Sequence, residues 1–393
     1  MNTDVTGVVA CPACGRTAAE GDAFCEYCGA ELAPAMVSEA SPGFVPTCPA
    51  CSADPAIAQP VAVTADGYCE SCGRKVPTGR DHVELDLGLL AGVTDRGLRH
   101  PRNEDAMALA TADTQAGPVA VAVVCDGVSS SPQPDDASLT AAQAAVRVLL
   151  DAVRMGDDIE EASRDAVQEA AVALSVLAGP AGAPSTTFVS AVIECGGSAP
   201  RIPEPAAPAT TAPYPVADSS VAGRDAPVTV PTAAPAEADA PAPAPAPAGL
   251  ITFCWLGDSR AYWLAADGSR RLTADDSLAQ EMVDSGLLGE AEAMASPQAH
   301  VITRWLGADI TEPQPHVSRF EPAGPGVLLI CSDGLWNYLP EADDIAGLAL
   351  PGALTDPAGV ASTLLKFALD AGGMDNITAV LVPVPLTLPR SSV

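Results

Sequence analysis

Two apolar runs of the chain each end in an Asp–Gly pair. The first run, 118–125, leads into Asp126 and Gly127, and the second, 327–331, leads through a serine into Asp333 and Gly334. A further carboxylate, Asp375, stands just before the last strand-like run. Carboxylates at strand ends are held at a sheet rim, and hard cations such as Mg²⁺ and Mn²⁺ prefer oxygen ligands. A single Asp–Gly pair is more often an ordinary turn. The hypothesis of a metal site therefore depends on the three carboxylates taken together.

Eight of the twelve cysteines form four Cys-x-x-Cys pairs near the N-terminus. The pairs are Cys11/Cys14, Cys25/Cys28, Cys48/Cys51 and Cys69/Cys72. Two such pairs at this spacing supply four thiolates, the soft tetrahedral ligand set that zinc prefers. Disulfides are the alternative, but they do not persist in a reducing compartment. The pattern occurs twice in tandem and therefore predicts two structural Zn²⁺ ions within residues 1–80.

This segment resembles the double zinc-ribbon modules of many bacterial regulatory proteins, which bind nucleic acid or protein. Residues 1–82 hold four Lys/Arg and ten Asp/Glu. An acidic segment does not displace the counterions of a nucleic acid, so a protein partner is favoured. Its core is too small to fold without metal, so zinc would contribute most of its folding free energy.

The whole chain is acidic, with a formal net charge of −31 over 393 residues. This argues against broad binding to nucleic acid or to an anionic membrane surface. No apolar run approaches the roughly 20 residues of a membrane span. The N-terminus lacks the pattern of a secretory signal, which predicts a cytoplasmic protein. The dispersed Cys125, Cys195, Cys254 and Cys331 are interpreted as buried small hydrophobic residues.

Residues 197–248 differ in composition from the rest of the chain. They contain 13 prolines and end in a run of alternating Ala and Pro. Such a composition predicts a disordered, partly extended segment. Strand-like runs at 185–193 and 250–257 flank it and would pair as a hairpin with the segment at its tip. The predicted organisation is a zinc module at 1–80, one domain at 83–385 interrupted by 197–248, and a tail at 386–393.

Helices and strands come in groups in the second domain. Strand-like runs occur at 83–93, 118–125, 185–193, 250–257, 327–331 and 376–383. Helical patterns occur near 137–154, 158–178, 277–285 and 356–371. Helices that arrive in pairs between groups of strands predict an α+β fold of antiparallel sheets with helical pairs outside.

Eight motifs follow one another in an order that carries a resemblance. They are a charged stretch ending in AsnGluAspAla (95–106), AspGlyVal (126–128), SerThrThr (185–187), GlyAspSerArgAlaTyr (257–262), LeuThrAlaAspAspSer (272–277), IleThrArgTrpLeuGly (302–307), SerAspGlyLeuTrp (332–336) and AspAsnIleThrAlaValLeuVal (375–382). This order closely resembles the metal-dependent serine/threonine protein phosphatases of the PPM (type 2C) family, especially the bacterial ones. The resemblance covers 83–385 without the Pro/Ala-rich segment.

The resemblance implies a four-layer αββα sandwich of two antiparallel sheets with a binuclear Mg²⁺ or Mn²⁺ centre at one end. It implies that Asp126 bridges both metals, that the Gly127 carbonyl binds one of them, and that Asp333 and Asp375 complete the other. Glu104 and Asp105 would orient waters at the metals, and Asp258 matches a position that helps hold a third, weaker metal. The implied reaction is hydrolysis of phosphoserine or phosphothreonine by water activated between two cations.

The sequence departs from the family pattern at three places. Ser129 and Ser130 replace glycines after Asp126, and Val128 cannot act as an acid, whereas some relatives carry His there. His100 stands where the family has a phosphate-binding Arg, so Arg99 or Arg102 is the alternative phosphate ligand. Asp276 replaces a common His and lies outside the implied metal set.

Three functions follow from these patterns. The leading hypothesis is a protein phosphatase whose substrates are phosphoproteins made by a Ser/Thr kinase. The second is a pseudophosphatase that binds proteins and turns over poorly, motivated by the changes at Ser129, Ser130 and His100. The third is a zinc-ribbon adaptor whose large domain is a scaffold.

Overall fold

The computed structural model describes residues 8–10, 17–19, 36–39, 48, 51, 63–64, 68–74, 76–180, 182–194 and 249–385. The predicted Pro/Ala-rich segment and the tail at 386–393 lie outside these residues. So do five cysteines of the sequence analysis, namely Cys11, Cys14, Cys25, Cys28 and Cys195. None of the helices within the described ranges is long and apolar enough to cross a membrane.

The described residues form sixteen strands and seven helices. The strands are β1 (Val8–Ala10), β2 (Thr17–Ala19), β3 (Met36–Val37), β4 (His82–Asp86), β5 (Ala91–Asp95), β6 (Asp105–Thr114), β7 (Gly117–Asp126), β8 (Ser185–Thr186), β9 (Phe188–Glu194), β10 (Leu250–Leu256), β11 (Arg260–Leu264), β12 (Arg270–Arg271), β13 (Leu306–Gly307), β14 (His316–Phe320), β15 (Gly326–Cys331) and β16 (Ile377–Val384). The helices are α1 (Pro134–Met155), α2 (Ile159–Ser175), α3 (Leu278–Asp284), α4 (Glu290–Met294), α5 (Asp333–Trp336), α6 (Ala342–Ala353) and α7 (Pro357–Ala371).

Two six-stranded antiparallel sheets carry the fold. Sheet I has the order β14-β10-β9-β7-β6-β3, and sheet II has the order β12-β11-β15-β16-β5-β4. In sheet I, Asp105 at the start of β6 pairs with Asp126 at the end of β7. This register places both carboxylates at the same end of the sheet. The strands that flank the Pro/Ala-rich segment pair as expected, with Glu194 opposite Leu250.

The core consists of three apolar layers. Side chains such as Met107, Val124, Phe253, Ile330 and Val382 fill the space between the two sheets. Alternate residues of sheet I face α1 and α2, and alternate residues of sheet II face α6 and α7. Because strand side chains alternate between the two faces, each sheet buries both of its faces. The predicted α+β fold, two antiparallel sheets with helical pairs outside, is therefore confirmed.

Local sequence signals account for the helix ends. Asp158 caps α2 by accepting hydrogen bonds from the amides of Glu160 and Glu161. Asp356 caps α7, Pro357 occupies its first turn, and the helix ends at Gly372. These are the residue types that favour helix starts and stops. The predicted helices lie within a few residues of α1, α2, α3 and α7.

Other elements differ from the sequence prediction. The predicted strand at 83–93 is two strands, β4 and β5, joined by a turn in which the Gly88 amide donates to the Asp86 side chain at 2.8 Å. Several elements of the large domain were not predicted, namely β6, β11, β14 and α6 and the shorter β12, β13, α4 and α5. Strand β6 alternates alanine with larger residues, and alanine has low strand propensity.

Described residues of the N-terminal region contact the large domain. Strand β3 pairs with β6, with Met36 opposite Leu109. Arg80 forms an ion pair with Asp135 at the start of α1 (3.1 Å), and its carbonyl accepts a hydrogen bond from the Asn103 side chain. The residues on either side of the predicted boundary at 80–83 are therefore packed together.

Candidate active site

Four of the predicted metal-site aspartates line one cavity of about 670 Å³. They come from different elements, because each follows or precedes a strand end on the same rim of the sandwich. Asp126 ends β7, Asp258 follows β10, Asp333 follows β15 and Asp375 precedes β16. Gly127 also lines this cavity. Asp126, Asp333 and Asp375 were predicted because each ends or begins an apolar run, whereas Asp258 was predicted from the family resemblance.

The backbone at Asp126 is fixed by a threonine pair that the sequence analysis gave no role. The Asp126 amide donates to the Thr187 hydroxyl at 3.0 Å, and its carbonyl accepts from the Thr187 amide at 2.7 Å. The Thr186 hydroxyl donates to the same carbonyl at 2.8 Å. Only the SerThrThr motif hinted at this role. The two threonines therefore hold the backbone of Asp126 in place.

Gly127 is required by the close approach of two backbone segments. Its amide donates to the Glu104 carbonyl at 3.0 Å. A Cβ atom here would lie 2.3 Å from the Pro134 carbonyl oxygen and 2.8 Å from that of Glu104. Any larger residue would therefore separate the end of β7 from the start of α1.

Burial and mutual repulsion disfavour the charged forms of these carboxyl groups. Burial first, and then the charges of neighbouring aspartates, raise the pKa of Asp126 and of Asp333 well above the usual range. Burial raises the pKa of Asp258 to about 7, with Asp275 adding to the effect. Several acids with raised pKa values around one cavity are typical of a functional site. A bound cation would offset the same repulsion.

Two buried carboxylate oxygens have no hydrogen-bond partner among the described residues, Asp105 Oδ1 and Asp333 Oδ1. A buried oxygen without a donor costs free energy unless a cation or another donor compensates it. The donor set is made of oxygens only, the ligand type of Mg²⁺ and Mn²⁺. The residues present therefore fit divalent cations of this class.

Asp105 lies behind the cavity, where it is held by hydroxyl groups. Its Oδ2 accepts hydrogen bonds from Ser332 and Thr378, each at 2.7 Å. Burial raises the pKa of Asp105 to about 7, against these two hydrogen bonds, which lower it. Asp105 thus connects β6 of sheet I to β15 and β16 of sheet II.

Glu104 is also buried behind the cavity rather than on its wall. Its carboxylate accepts hydrogen bonds from the Arg102 Nε at 2.9 Å and from the Ser129 hydroxyl. Its amide donates to the Asn376 side chain at 2.8 Å. Ser129, one of the departures from the family pattern, is therefore used in the hydrogen-bond network around Glu104. Ser130 lies on the cavity wall.

The three predicted phosphate ligands do not line the cavity. The His100 Nε2 lies 3.1 Å from Asp375 Oδ1. Arg102 binds Glu104 and lies 3.5 Å from Asp135, and Arg99 is exposed on the surface. That one of these three residues binds phosphate stays a prediction.

A different segment contributes to the wall instead. It supplies His300, Trp305 and Asp309. The only sequence signal for these residues was their position in or beside the motif at 302–307. Asp276 lies outside the cavity, where it accepts from the Gly257 amide at 3.1 Å and contacts His316.

The second cysteine set comes together in space. The sulfurs of Cys48, Cys51, Cys69 and Cys72 all lie within 4.8 Å of one another. Four thiolates about 2.3 Å from one zinc ion would have sulfurs roughly 3.8 Å apart. Gly73, with φ of 69°, makes the turn after Cys72 that a residue with a side chain rarely adopts. The arrangement is compatible with a zinc ribbon.

The first cysteine set is known from the sequence alone. The four predicted zinc ligands of this set lie outside the described residues: Cys11, Cys14, Cys25 and Cys28. The prediction of a first zinc site therefore rests on the spacing of the two Cys-x-x-Cys pairs alone.

The described cysteines of the large domain are buried, as expected. Burial raises the pKa of Cys254 to about 12 and raises the pKa values of Cys125 and Cys331 well above the usual range. These thiols are therefore not nucleophiles near neutral pH.

Comparison with known proteins finds phosphatases. The serine/threonine phosphatase stp of Listeria innocua is 38% identical over 128 residues, which are 32% of this chain and 49% of the relative. The protein phosphatase PhpP of Streptococcus pneumoniae is 38% identical over 129 residues, 32% of this chain and 50% of the relative. The chain thus spans about half the length of the curated relatives it matches. No family profile matches it.

The fold is similar to solved phosphatase structures. The serine/threonine phosphatase Stp1 of Staphylococcus aureus superimposes with a TM-score of 0.52 and 20% identity, covering 77% of this chain and 97% of the other. A second bacterial serine phosphatase gives the same TM-score and identity over 76% and 98%. At this identity the likeness establishes the fold alone.

Proposed function

We infer that this chain is a metal-dependent protein phosphatase of the PPM family that hydrolyses phosphoserine and phosphothreonine on proteins. One observation carries the proposal: Asp126, Asp258, Asp333 and Asp375 line a single cavity, and a buried oxygen of Asp333 has no donor within the described part of the chain. The similarity to proteins named serine/threonine phosphatases supports it.

Two Mg²⁺ or Mn²⁺ ions would be held by Asp126, the Gly127 carbonyl, Asp333 and Asp375, with Asp258 as a ligand for a third. When bound, such cations polarise a phosphoryl group and activate an attacking water. The chain's own residues do the positioning. Thr186 and Thr187 fix Asp126, Ser332 and Thr378 fix Asp105, and Asn376 joins Glu104 to the segment before β16.

The pseudophosphatase alternative is less favoured. It was motivated by Ser129, Ser130 and His100, yet all four cavity aspartates are present and converge. Ser129 hydrogen-bonds Glu104, and Gly127 keeps its close approach to Pro134. Ser129 is therefore accommodated by a hydrogen bond, which supports the catalytic proposal over this alternative.

The N-terminal module is proposed to hold two zinc ions and to bind a protein partner, and the substrates are proposed to be targets of a Ser/Thr kinase. The Cys48 cluster supports one of the two zinc sites. Elemental analysis of the full chain, purified without added metal, should give two zinc ions per chain. Zinc at one equivalent or none would contradict the two-site proposal.

Substitutions at the cavity test the proposed reaction. Asp126→Asn and Asp333→Asn should each lower kcat on a phosphothreonine peptide by about 10²-fold or more, because each removes a ligand charge. The matched control is Asp113→Asn, which changes an exposed aspartate at the far end of β6. Full turnover in both cavity variants would contradict the assignment of the site.

A further inference from the structure

The wall of the cavity is strongly acidic. Five carboxylates line it, those of Asp126, Asp258, Asp309, Asp333 and Asp375. Among the described residues that line it, none is Lys or Arg, and the others apart from His300 carry hydroxyl, apolar or indole groups. His300 is therefore the one lining side chain in the described chain that can carry a positive charge near neutral pH.

His300 rests on a fixed aromatic platform. Its imidazole stacks on the indole of Trp336, with ring centroids 5.9 Å apart and planes at 28°. Trp336 is only 2% exposed, and its Nε1 donates to the Asp258 carbonyl at 2.9 Å. The Arg260 guanidinium lies 3.5 Å from the indole centroid. Asp258 thus holds Trp336 through its carbonyl and is itself one of the aspartates that line the cavity.

The backbone that follows His300 is held as well. The Leu278 amide donates to the Val301 carbonyl at 2.9 Å, and the Thr303 amide donates to the Asp276 carbonyl at 2.7 Å. The imidazole itself is exposed to solvent, unlike its platform. A substrate in the cavity can therefore reach a ring whose position is already set.

The reaction needs an acid that the motif at Asp126 does not supply. A seryl or threonyl alkoxide is a poor leaving group, so proton donation to it speeds cleavage, typically by 10²–10⁴-fold. Val128 carries no acidic group. His100 is 3.1 Å from Asp375 and does not line the cavity, and Arg102 is bound to Glu104.

We propose that His300 is the general acid that protonates the leaving seryl or threonyl oxygen; this rests on the proposed phosphatase function. A water oxygen forms a bond to phosphorus and gives its proton to solvent. The ester P–O bond breaks, and its electron pair goes to the alcohol oxygen, which takes the proton from the His300 imidazolium. The products are the free hydroxyl side chain and inorganic phosphate, and the imidazole regains a proton from solvent.

Charged groups surround this imidazole on two sides. On one side are the five cavity carboxylates. On the other, an adjoining hollow that also includes His300 contains Arg260, Arg270, Arg271, Glu290, Glu341, Asp343 and Asp344. The pH profile must therefore be measured on the full chain, with these groups in place.

Two substrates with different leaving groups test the proposal. With Mn²⁺ present, His300→Gln should lower kcat on a phosphothreonine peptide by about 10²-fold. On p-nitrophenyl phosphate, whose leaving phenolate needs no proton, kcat should fall less than about 3-fold. The wild-type peptide kcat should decline at alkaline pH, and this limb should be absent in the variant. Added imidazole should restore peptide turnover to His300→Ala.

The remaining outcomes overturn the proposal in distinct ways. Equal losses of kcat on both substrates would indicate a positioning role, and a raised KM with unchanged kcat would indicate substrate binding only. Unchanged peptide turnover would exclude any role. His82→Gln, a surface histidine bonded to Asp95, is the control and should match wild type. A wild-type chain inactive on both substrates would instead contradict the proposed function itself.

Discussion

The hydroxyl group of Thr187 holds the residue on which the site depends. It accepts the amide hydrogen of Asp126 at 3.0 Å and bonds Ser259 at 2.7 Å. Sequence reasoning could identify Asp126 from its place at the end of an apolar run. It could not find Thr187, because this hydrogen bond joins residues 61 positions apart.

Thr187→Val should destabilise the protein by about 1–2 kcal/mol, because the buried Asp126 amide loses its partner. The matched control is Thr252→Val, since the buried Thr252 hydroxyl has no hydrogen-bond partner among the described residues. That change should leave the free energy of unfolding unchanged or raise it, because it removes a buried hydroxyl that has no partner. Urea unfolding measures both. Equal stability of the two variants would show that Thr187 does not anchor Asp126.

The carboxyl groups of the site predict how pH acts on the metal-free protein. The pKa values of Asp105 and Asp258 are raised from 3.8 to about 7 in the fold. Between these values the folded state holds more protons than the unfolded chain, so the free energy of unfolding falls as pH rises. The loss begins above the ordinary pKa and is complete above about pH 7.

After EDTA treatment, the Tm should therefore be lower at pH 8 than at pH 5 by about 5 °C or more. Mn²⁺ should raise the Tm more at pH 8, where the ligands are ionised. Asp258→Asn removes one of the titrating groups and should reduce the difference measured without metal. A metal-free Tm that rises over this pH range would contradict the described electrostatics.

Among the elements, the strands whose ends carry the cavity aspartates were predictable from the sequence, whereas strands β6 and β3 at the edge of sheet I were not. Continuous apolar runs identified β7, β10, β15 and β16, whose ends position the cavity aspartates. Strand β6 was not predicted because alanine, which has low strand propensity, occupies its alternate positions. Ala106 and Ala108, for example, face the helical layer. Strand β3 has two residues, and its pairing with β6 depends on contacts between distant parts of the chain.

Ser38 ties β3 to β6. It is 2% exposed, its amide donates to the Met107 carbonyl at 3.0 Å, and its hydroxyl accepts from the Met107 amide at 2.9 Å. Ser38→Ala should cost about 1–2 kcal/mol, since the Met107 amide would remain buried without an acceptor. Hydrogen exchange at Met107 should also become faster.

Ser285→Ala, which changes an exposed serine at the end of α3, is the control for this element and should be close to neutral. If Ser38→Ala behaves like Ser285→Ala and leaves exchange at Met107 unchanged, β3 does not stabilise the edge of sheet I. If instead β3 stabilises this edge, as we expect, removal of residues 1–81 would expose the edge of β6. An exposed strand edge favours association between chains.

At the scale of the whole molecule, the order of the motifs predicted more than any single motif. It placed both strands that flank the Pro/Ala-rich segment in one domain, and in the structure these strands pair, with Glu194 opposite Leu250. The boundary at 80–83 was placed between the last cysteine pair and the start of the motif order, and neither signal predicts the contacts of Arg80 with Asp135 or of β3 with β6. The disordered character of 197–248, the first zinc site and the cytoplasmic location stay predictions.

The central claim is that the aspartate cavity binds divalent cations and hydrolyses phosphoserine and phosphothreonine. The most direct measurement is phosphate release from a phosphothreonine peptide by the full chain, dialysed against EDTA and then assayed with and without Mn²⁺. We expect turnover with Mn²⁺ and a turnover lower by about 10²-fold or more without added metal. Undiminished turnover in EDTA, or none at any Mn²⁺ or Mg²⁺ concentration, would contradict it.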